Sequence, residues 1–537
     1  MPHLWWQTGT IYQIYPRSFQ DSNGDGIGDL DGIRRRLNYL VWLGVDAIWI
    51  SPIYPSPMHD FGYDVADYCG IDPTFGSLES FDLFIDEAHK KQLKVILDFV
   101  PNHTSIEHPW FIASRRSRAD PKRDWYIWRN AAPDGGPPNN WISNFGGSAW
   151  QWDEATGQYY YHAYLAEQPD LNWRNPNVRA AMHESLRFWL RRGVDGFRVD
   201  VIWHLIKDAA FRDNPPNPAW TMDDPDIDRL LQTYSTDQPE VHEVIAGMRQ
   251  VLEEFENRVL IGEIYLPVER LVTYYGKNLT GAHLPFNFQL LNSAWTAPHI
   301  AELIERYEAA LPDAGWPNWV LSNHDRPRIA ARVGPEDQAR VAAMLLLTLR
   351  GTPTLYYGDE LGIGRVDIAP HLTKDPWGKY EPGLGVGRDP ARTPMQWDAT
   401  AFAGFSTHEP WLPLTPDYEA RNVAAMTGDK TSMLFLVRSL LHYRREHASL
   451  SQGKWRLLSL ESDVLAYERR NGDSRIFVVL NFTAHPWARS TATFAKARVA
   501  ISTHGDRRGE LVGSTLYLRA NEGLLIEPED NDIASFE

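Results

Sequence analysis

The sequence predicts an α/β fold, a (β/α)8 TIM barrel followed by a C-terminal antiparallel β-sandwich. Apolar β-like runs alternate with helical patterns through most of the 537 residues, as a parallel barrel requires. Three of these runs end in an acidic residue, and barrels place catalytic groups at the carboxyl ends of their strands. From about Trp455 the pattern changes to short strands and turns, which is typical of a β-sandwich.

Eight segments are predicted to be barrel strands. Two stretches interrupt the alternation, one between His103 and Leu171 that is rich in Trp, Asn, Gly and Pro, and one at residues 367–416. The first is too long for an ordinary connection between a strand and a helix. The predicted strands are 11–16, 45–52, 93–100, 194–201, 258–265, 284–290, 318–325 and a last one that starts at Gly351.

The acidic residues Asp200, Glu263 and Asp325 end three of the predicted strands. A single acid in such a place is more often a helix cap or a surface charge than a catalyst. Three of them at the same end of a barrel predict a cluster of carboxylates. Such a cluster suits the cleavage of a glycosidic bond, which needs an acid for the leaving oxygen and a carboxylate that attacks or activates water.

Arg198 distinguishes two of these acids. It lies two residues before Asp200, so the alternation of a strand puts both side chains on one face. A fixed cation there is expected to keep Asp200 ionised, as a nucleophile requires. Glu263 has no cation adjacent in sequence and is therefore the better candidate for the proton donor.

Seven sequence blocks resemble those of the α-amylase family of glycoside hydrolases, and they occur along the chain in the same order as in that family. The segment Gln-Pro-Asp-Leu-Asn at 168–172 is typical of the branch that contains oligo-1,6-glucosidases and α-glucosidases. The resemblance covers essentially the whole chain. The blocks lie at 44–52, 98–103, 168–172, 196–200, 261–263, 323–325 and 351–358.

This resemblance implies a domain organisation. A small domain is inserted after the third barrel strand at residues 104–170, so that the catalytic barrel comprises 1–103 and 171–454. The C-terminal β-sandwich then covers 455–537.

The resemblance also implies a mechanism and a set of substrate contacts. Asp200 attacks the anomeric carbon while Glu263 protonates the leaving oxygen, at a carboxyl separation of about 5 to 5.5 Å, and configuration is retained. Asp325 supports the oxocarbenium-like transition state. The expected activity is that of an exo-acting α-glucosidase that removes terminal glucose from short α-1,6 or α-1,4 glucosides and also transfers it. The residues expected to bind the substrate are Asp60, Tyr63, His103, Arg198, Val201, His324 and Arg388.

Two of these expectations concern specificity. Asp60 and Arg388 match a pair that binds the 4-hydroxyl of the terminal glucose and closes the pocket beyond it. Val201 directly follows Asp200, and related enzymes with Val there tend to cleave α-1,6 bonds. A single residue shifts such a preference by only about 1 to 3 kcal/mol.

The segment 21–29 predicts a structural cation site. Oxygen donors alternate with glycines there, as in the first part of an EF-hand loop, but position twelve is Gly32 rather than a bidentate Glu. Related α-glucosidases bind Ca²⁺ or Mg²⁺ at this place; the alternative is an acidic turn without metal. No organic cofactor is expected. The predicted ligands are Asp21, Asn23, Asp25, Ile27 and Asp29.

The composition of the chain narrows the classes of molecule that it is expected to bind. Fifty-three Lys and Arg against 70 Asp and Glu give a net charge of −17, which argues against nucleic acid and anionic membranes. The chain has no apolar run of about 18 residues, and its N-terminus does not have the pattern of a signal peptide. Its one cysteine, Cys69, fits a reducing compartment. We therefore expect a cytoplasmic protein that binds small α-glucosides.

Other members of this family use the same acids differently. Sucrose isomerases, trehalose synthase and trehalose-6-phosphate hydrolase are alternatives, and transglucosylation stays open. The segment after Asp325 is Arg326-Pro327-Arg328, and the chain has no Arg-Leu-Asp-Arg-Asp segment typical of sucrose isomerases. The heavy chains of amino-acid transporters share the fold without catalysis, but they carry a membrane helix and have lost the acids that this chain keeps.

Overall fold

The computed structural model of the chain describes residues 3–490 and 497–528. All eight predicted barrel strands form there, in a single parallel sheet. The fold class predicted from the sequence is confirmed. The strands are β1 (Ile11–Ile14), β2 (Ala47–Ile50), β3 (Lys94–Phe99), β4 (Gly196–Val199), β5 (Val259–Gly262), β6 (Leu284–Pro285), β7 (Asn318–Val320) and β8 (Thr352–Tyr356).

The sheet curls into a nearly closed barrel with the order β7-β8-β1-β2-β3-β4-β5-β6. In the register of β3 and β4, Asp98 lies opposite Arg198, and in that of β4 and β5, Val199 lies opposite Gly262. The residues that follow these strands therefore emerge side by side at one end of the barrel.

The strands are shorter than predicted, most of all β6 and β7. The run 318–325 is a strand only as far as Val320, and 284–290 only as far as Pro285. In the first case Asn323 ends the extended chain, because its side-chain oxygen accepts the backbone N–H groups of Asp325 and Arg326 at 3.0 and 2.9 Å. Asp325 thus belongs to a turn beyond β7 rather than to the strand itself.

The helices outside the barrel are amphipathic. Helix Ala297–Ala310 buries Ile300, Ile304 and Tyr307, which lie on one face of a helix with 3.6 residues per turn. No helix in the described part of the chain is long and apolar enough to cross a membrane. The longer helices are Leu37–Leu43, Leu78–Lys90, Pro109–Arg116, Pro176–Arg191, Val241–Glu253, Ala297–Ala310, Glu336–Thr348 and Met433–Glu446; the short ones are Trp5–Thr8, Leu30–Arg35, Val268–Leu271, Ile329–Arg332, Pro376–Tyr380, Val423–Gly428 and Ala448–Ser451.

The barrel interior is a packed core. Large side chains from its strands and their extensions, among them Trp49, Ile96, Ile261 and Phe286, form one buried cluster. The strands also carry buried polar residues near their carboxyl ends, among them Gln13, Asp98 and Arg198, and the predicted site begins at this level.

The stretch between β3 and β4 contains a small sheet of its own. Three antiparallel strands, Trp128–Arg129, Trp150–Asp153 and Gln158–Tyr161, pair in the order first, third, second. Trp141 and Trp150 pack against Tyr161 in a separate buried cluster. The boundaries 104–170 stay a prediction.

The C-terminal region forms antiparallel sheets. A six-stranded sheet is accompanied by a two-stranded sheet, Trp487–Ser490 with Thr515–Leu518. Residues 491–496 and 529–537 of the predicted domain 455–537 lie outside the described residues, as do residues 1–2 of the barrel. The six strands, in sheet order, are Lys454–Glu461, Val464–Asn471, Ser474–Asn481, Gly523–Pro528, Ala497–Ser502 and Leu511–Val512.

Arg469 joins this region to the barrel. Its fully buried guanidinium donates to the backbone carbonyls of Thr348, Leu450 and Gly453. We predict that Arg469→Ala lowers the free energy of unfolding by at least about 2 kcal/mol, because buried acceptors lose their donor. Arg470→Ala is the matched control, since Arg470 is exposed. Equal urea midpoints for the two variants would contradict this prediction.

Candidate active site

A cavity of about 490 Å³ opens at the carboxyl ends of the barrel strands. The three predicted catalytic acids all line it. So do most of the predicted substrate-binding residues, whereas Arg198 and His324 contact these lining residues from behind. The predicted residues that line the cavity are Asp60, Tyr63, His103, Asp200, Val201, Glu263, Asp325 and Arg388.

Neighbouring strands bring Asp200 and Glu263 together. Each is the first residue after its strand, and each backbone N–H extends the barrel ladder: Asp200 donates to Phe99 O at 2.8 Å and Glu263 to Val199 O at 3.0 Å. Their backbone positions are therefore as fixed as those of the strands. Both side chains are buried.

Arg198 contacts three carboxylates from inside the barrel wall. Its Nη1 lies 2.8 Å from Asp98 Oδ1 and 2.8 Å from Asp200 Oδ1, and its Nη2 lies 2.6 Å from Glu263 Oε2. The side chain is completely buried. One cation thus holds the relative positions of the two predicted catalytic acids.

The distinction drawn from the sequence between Asp200 and Glu263 does not hold in the structure. Arg198 contacts both, because β4 and β5 are adjacent strands. Burial and the proximity of Glu263 raise the pKa of Asp200 well above its usual range, and burial also raises the pKa of Glu263, with Asp325 adding to it against Arg198. The two carboxyls form a coupled pair that retains a proton more readily than separate acids do.

Asp98 is a member of this group that the sequence analysis did not single out. Its carboxylate accepts from Arg198, from Tyr63 Oη at 3.1 Å and from Trp49 Nε1 at 3.2 Å. Burial raises the pKa of Asp98 to about 6, although Arg198 opposes the shift. The signal for it was present, since Asp98 begins the block 98–103 near the end of a predicted strand.

Val201 has a strained backbone. Its φ of 37° and ψ of 49° lie in the left-handed region, which a β-branched residue rarely adopts and which costs roughly 1–3 kcal/mol. This conformation directs the Val201 N–H to Glu263 Oε2 at 3.0 Å. The residue after Asp200 therefore orients Glu263 through its main chain, in addition to lining the cavity with its side chain.

Asp325 is held ionised by its neighbours. Burial would raise its pKa, but His324, whose Nε2 lies 3.3 Å from Asp325 Oδ2, and the cationic Arg388 and Arg392 outweigh burial and hold the pKa of Asp325 well below its usual range. Arg392 Nη2 lies 2.9 Å from Asp325 Oδ1, and Arg388 Nη1 lies 3.4 Å from the same oxygen. Asp325 is thus an anion beside the coupled pair.

The two predicted ring-binding groups Tyr63 and His324 form one hydrogen-bonded unit. Tyr63 Oη lies 2.6 Å from His324 Nε2, and Gln13 Nε2 lies 2.8 Å from His324 Nδ1. Burial lowers the pKa of His324 well below its usual range, so the imidazole is neutral. The rings of Tyr63 and His324 are nearly parallel, with centroids 5.3 Å apart.

His103 lies at the opposite wall of the cavity. Its Nε2 lies 3.0 Å from the Tyr63 carbonyl oxygen and 3.2 Å from Gln168 Nε2. Burial lowers the pKa of His103 to about 4, so it too is neutral at pH 7. Gln168 comes from the block 168–172 and also approaches Asp60 at 3.4 Å, which connects this wall to the pocket floor.

Asp60 and Arg388 meet, 328 residues apart in sequence. Arg388 Nη2 lies 2.6 Å from Asp60 Oδ1 and 2.6 Å from Asp375 Oδ1. Burial raises the pKa of Asp60 to about 6, with Arg388 opposing it. The contact that the sequence analysis expected is present; Asp375 and Arg392, which the sequence analysis did not name, complete the network.

The segment 21–29 is folded by its own hydrogen bonds. Asp21 Oδ1 accepts hydrogen bonds from the backbone N–H groups of Asn23 and Gly24. The Asn23 side-chain oxygen accepts from the N–H of Asp25, and the Asp25 carboxylate accepts from the N–H of Ile27. All four bonds are 2.7 to 2.9 Å long. Asp29 instead caps helix Leu30–Arg35.

The fit of a cation to this segment is partial. Carboxylate, amide and carbonyl oxygens suit Ca²⁺ or Mg²⁺. However, backbone N–H groups engage Asp21 and Asp29, and the described residues contain no cluster of three or more acidic, His or Cys side chains placed to hold a metal. The cation therefore stays a prediction, and the chemistry derived below does not involve it.

The sequence profile of the alpha-amylase catalytic domain matches residues 13–453, most of the chain. The chain belongs to the α-amylase family. This family member is 42% identical over 495 residues to a probable alpha-glucosidase of Rhizobium meliloti, with 89% of each chain covered. It is 38% identical over 538 residues to an oligo-1,6-glucosidase of Halalkalibacterium halodurans, with 94% of each covered.

Solved structures agree with this assignment. The crystal structure of the alpha-glucosyl transfer enzyme XgtA superimposes with a TM-score of 0.93 and 39% identity, over 98% of this chain and 100% of that one. The trehalulose synthase MutB from Pseudomonas mesoacidophila gives a TM-score of 0.90 at 34% identity, over 98% and 100%. The family prediction made from the motifs is confirmed.

We predict that Ca²⁺ or Mg²⁺ raises the melting temperature of the chelator-treated protein. An ion at about 100 times its dissociation constant would add about 2.7 kcal/mol of stability if it binds the folded state alone. Asp25→Asn should remove most of this response, whereas Glu79→Gln, a change of an acid outside the segment, should keep it. A melting temperature that responds neither to chelator nor to either ion would refute the site.

Proposed function

We propose that this chain is a retaining α-glucosidase that removes single glucose units from the non-reducing end of short α-glucosides. The observation that carries the proposal is the pair Asp200 and Glu263 held by Arg198, in a cavity that the ion pair of Asp60 and Arg388 also lines. The relatives named above as α-glucosidase and oligo-1,6-glucosidase support the same activity.

In the proposed reaction Asp200 attacks the anomeric carbon and forms a glucosyl ester. Glu263 gives its proton to the glycosidic oxygen as the bond to the leaving group breaks. Water then enters, Glu263 takes its proton, and attack of the oxygen on the anomeric carbon breaks the bond from that carbon to Asp200, which leaves as a carboxylate, so glucose is released with its original α configuration. The first step requires the proton on Glu263 and the negative charge on Asp200, and burial raises the pKa of both acids.

Arg198 and Val201 would stabilise the states of this cycle. When Asp200 becomes an ester it loses its charge, and Arg198 then pairs with Asp98 and Glu263. Glu263 becomes an anion on giving up its proton, and the Val201 N–H already donates to its Oε2, while the charged Nη2 of Arg198 lies 2.6 Å from the same oxygen. Donors placed before the charge develops lower the barrier because they need not reorganise.

Asp325 and the neutral ring groups would bind the glucose. Asp325 is an anion that lines the cavity beside the coupled pair, and a fixed negative charge there would support an oxocarbenium-like transition state. His103, His324 and Tyr63 offer neutral hydrogen-bonding groups, so they bind hydroxyls without competing for that charge.

The Asp60–Arg388 pair supports exo action. Both side chains are buried and form one network with Asp375, so opening this floor would break a buried ion pair. Removing one partner of such a pair costs about 3–5 kcal/mol. A polymer chain would have to pass through this floor, whereas a terminal glucose would stop against it.

The preferred linkage and the transfer of glucose to other acceptors are supported by likeness to related proteins. Val201 lines the cavity beside the catalytic pair. Related enzymes with Val at this position tend to cleave α-1,6 bonds, which favours the α-1,6 linkage here. Transglucosylation is supported by the likeness to the alpha-glucosyl transfer enzyme. Isomerisation of sucrose is the second candidate because of the likeness to trehalulose synthase, against which stands the missing Arg-Leu-Asp-Arg-Asp segment. The single Cys69 supports a cytoplasmic location.

We predict that Asp200→Ala and Glu263→Gln each lower kcat by several orders of magnitude with little change in melting temperature, because each removes a group that acts in bond cleavage. Azide added to Asp200→Ala should give β-glucosyl azide, since a small anion can enter where the carboxylate was. Asp120→Ala, at a partly exposed position of the inserted region that does not line the cavity, is the control. Wild-type rates in either acid variant would end the proposed mechanism.

We predict that maltose and isomaltose are cut to glucose, whereas starch is not cut internally. Val201→Thr should lower the ratio of kcat/KM for isomaltose to that for maltose by about 5- to 150-fold, the range of about 1 to 3 kcal/mol that one side chain supplies. Chromatography of the products over time tests both. An unchanged ratio removes Val201 from the argument, and rapid internal cleavage of starch removes the closed floor.

A further inference from the structure

The imidazole of His324 lies behind the cavity wall, and both side chains that its Nε2 contacts line the cavity. Tyr63 Oη lies 2.6 Å from this nitrogen, and Asp325 Oδ2 lies 3.3 Å from it. The imidazole itself is buried. It can therefore orient two groups of the predicted site from behind, provided that its hydrogen is on the nitrogen that faces them.

The surroundings of His324 Nε2 favour a hydrogen on that nitrogen. The low pKa of Asp325 keeps it ionised, and a carboxylate only accepts hydrogen bonds. Tyr63 donates its own hydrogen to Asp98 Oδ2 at 3.1 Å, so its oxygen is left to accept from His324. A lone pair on Nε2 would instead face the Asp325 carboxylate and draw the Tyr63 hydroxyl away from Asp98.

Gln13 supplies the donor that this arrangement needs at the other nitrogen of the ring. Burial lowers the pKa of His324 well below its usual range, so the neutral ring carries one hydrogen. With that hydrogen on Nε2, Nδ1 is left as an acceptor. Gln13 Nε2 lies 2.8 Å from Nδ1, whereas Gln13 Oε1 has no hydrogen-bond partner in the described part of the chain. The amide thus meets His324 through its donor end.

The barrel fixes the position of Gln13. This residue lies on β1, opposite Trp49 of β2 and Tyr356 of β8, and its carbonyl accepts the N–H of Tyr357 at 3.0 Å. Its side chain is completely buried, and the same amide nitrogen lies 3.4 Å from Ser51 Oγ. Strands in the core of a fold open least, so the donor approaches His324 from a fixed direction.

We propose that Gln13 is a positioning residue of the active site: its amide N–H keeps the hydrogen of His324 on Nε2, and His324 in turn orients Asp325 and Tyr63. The proposal rests on the α-glucosidase function proposed above, in which Asp325 supports the transition state. It assigns a role in catalysis to a side chain that acts only through its neighbour.

The first test is the nitrogen NMR spectrum of the histidine-labelled wild-type protein. The His324 signals are assigned by their absence from His324→Gln. An imidazole nitrogen with a hydrogen and one without differ strongly in chemical shift, and couplings to the ring hydrogens tell Nδ1 from Nε2. We expect a hydrogen on Nε2 and none on Nδ1. A hydrogen on Nδ1 overturns the proposal.

The second test is the kinetics of Gln13→Met, which removes the donor and keeps a buried side chain of similar length. We expect kcat for maltose to fall by at least about fivefold, the effect of one typical hydrogen bond, because Asp325 and Tyr63 are no longer held. A wild-type kcat in this variant, with or without a change in KM, overturns the proposal.

Gln13→Glu separates a donor at this position from an acceptor. A protonated carboxyl group can donate to His324 Nδ1 as the amide does, but a carboxylate only accepts, so the hydrogen must then move to Nδ1 and leave Nε2 without one. The kcat of this variant relative to the wild type should therefore fall as the pH rises from about 5 to about 9, a range that covers the raised pKa of a buried Glu. A wild-type kcat throughout this range is expected if Gln13 accepts from His324, and it overturns the proposal.

The other groups around His324 are the same in both proteins. Tyr15 and Tyr63, whose rings stack on the imidazole, stay neutral over this range because burial raises the pKa of both. A difference in pH dependence between Gln13→Glu and the wild type is thus due to the group at position 13. The charged side chains that face His324 are Asp325 on its own turn, Arg198 on β4, and Arg388 and Arg392 beyond β8.

Gln338→Glu is the matched control, because Gln338 is also a buried glutamine but contacts Asn481 and Asn521 rather than the cavity. Its melting temperature shows what a buried carboxyl group does to stability alone, and its His324 spectrum should be that of the wild type. A His324 spectrum that changes equally in Gln338→Glu and Gln13→Glu overturns the assignment to Gln13.

These measurements separate the proposal from the function on which it rests. If the wild-type protein releases no glucose from maltose or isomaltose, the α-glucosidase function fails, and the role of Gln13 in it fails too. If glucose is released but His324 carries its hydrogen on Nδ1, only the role of Gln13 fails.

Discussion

The buried guanidinium of Arg198 is the interaction on which the site depends. It is fully enclosed and contacts Asp98, Asp200 and Glu263, which come from three adjacent strands. Three anions around one cation in a region of low dielectric would be strongly unfavourable if all were ionised, and burial accordingly raises the pKa of each of the three acids against the opposing charge of Arg198. The shifted pKa values of this group are thus a consequence of how the barrel packs its charges.

A second network holds the glucose end of the cavity. Arg388 and Arg392 pair with Asp60, Asp325 and Asp375, all buried or nearly so. Tyr63 and His324 connect the two networks, because Tyr63 Oη donates to Asp98 while the His324 carbonyl accepts from Arg392. Fixed hydrogen bonds therefore connect the Asp60–Arg388 pair to the catalytic pair, so that a movement of one would affect the other. One rigid site would in this way both bind the terminal glucose and cleave its bond.

Different kinds of structure form the two sides of the proposed scissile bond. The glucose side stands on strand ends and ion pairs, whose geometry the barrel determines. The leaving-group side stands on loops at 209–239 and 365–388, anchored by the contacts of Asp226 with Gly147 and Glu381. Loops of this kind accept sequence change at little cost to the fold. We therefore expect proteins with this architecture to differ most in their specificity for the leaving group.

The sequence by itself determined the barrel, the C-terminal β-sandwich and the three acids, because strand periodicity is local and parallel strands place their carboxyl ends together. It also led to the Asp60–Arg388 contact, although only through a family resemblance. The tertiary structure alone decided that Arg198 contacts Glu263 as well as Asp200, and that Asp98, Asp375 and Arg392 belong to the networks. It also decided that Ile227, Leu230 and Leu231 face the cavity. These contacts join residues from 13 to 328 positions apart, and no local periodicity relates such residues until the chain has folded.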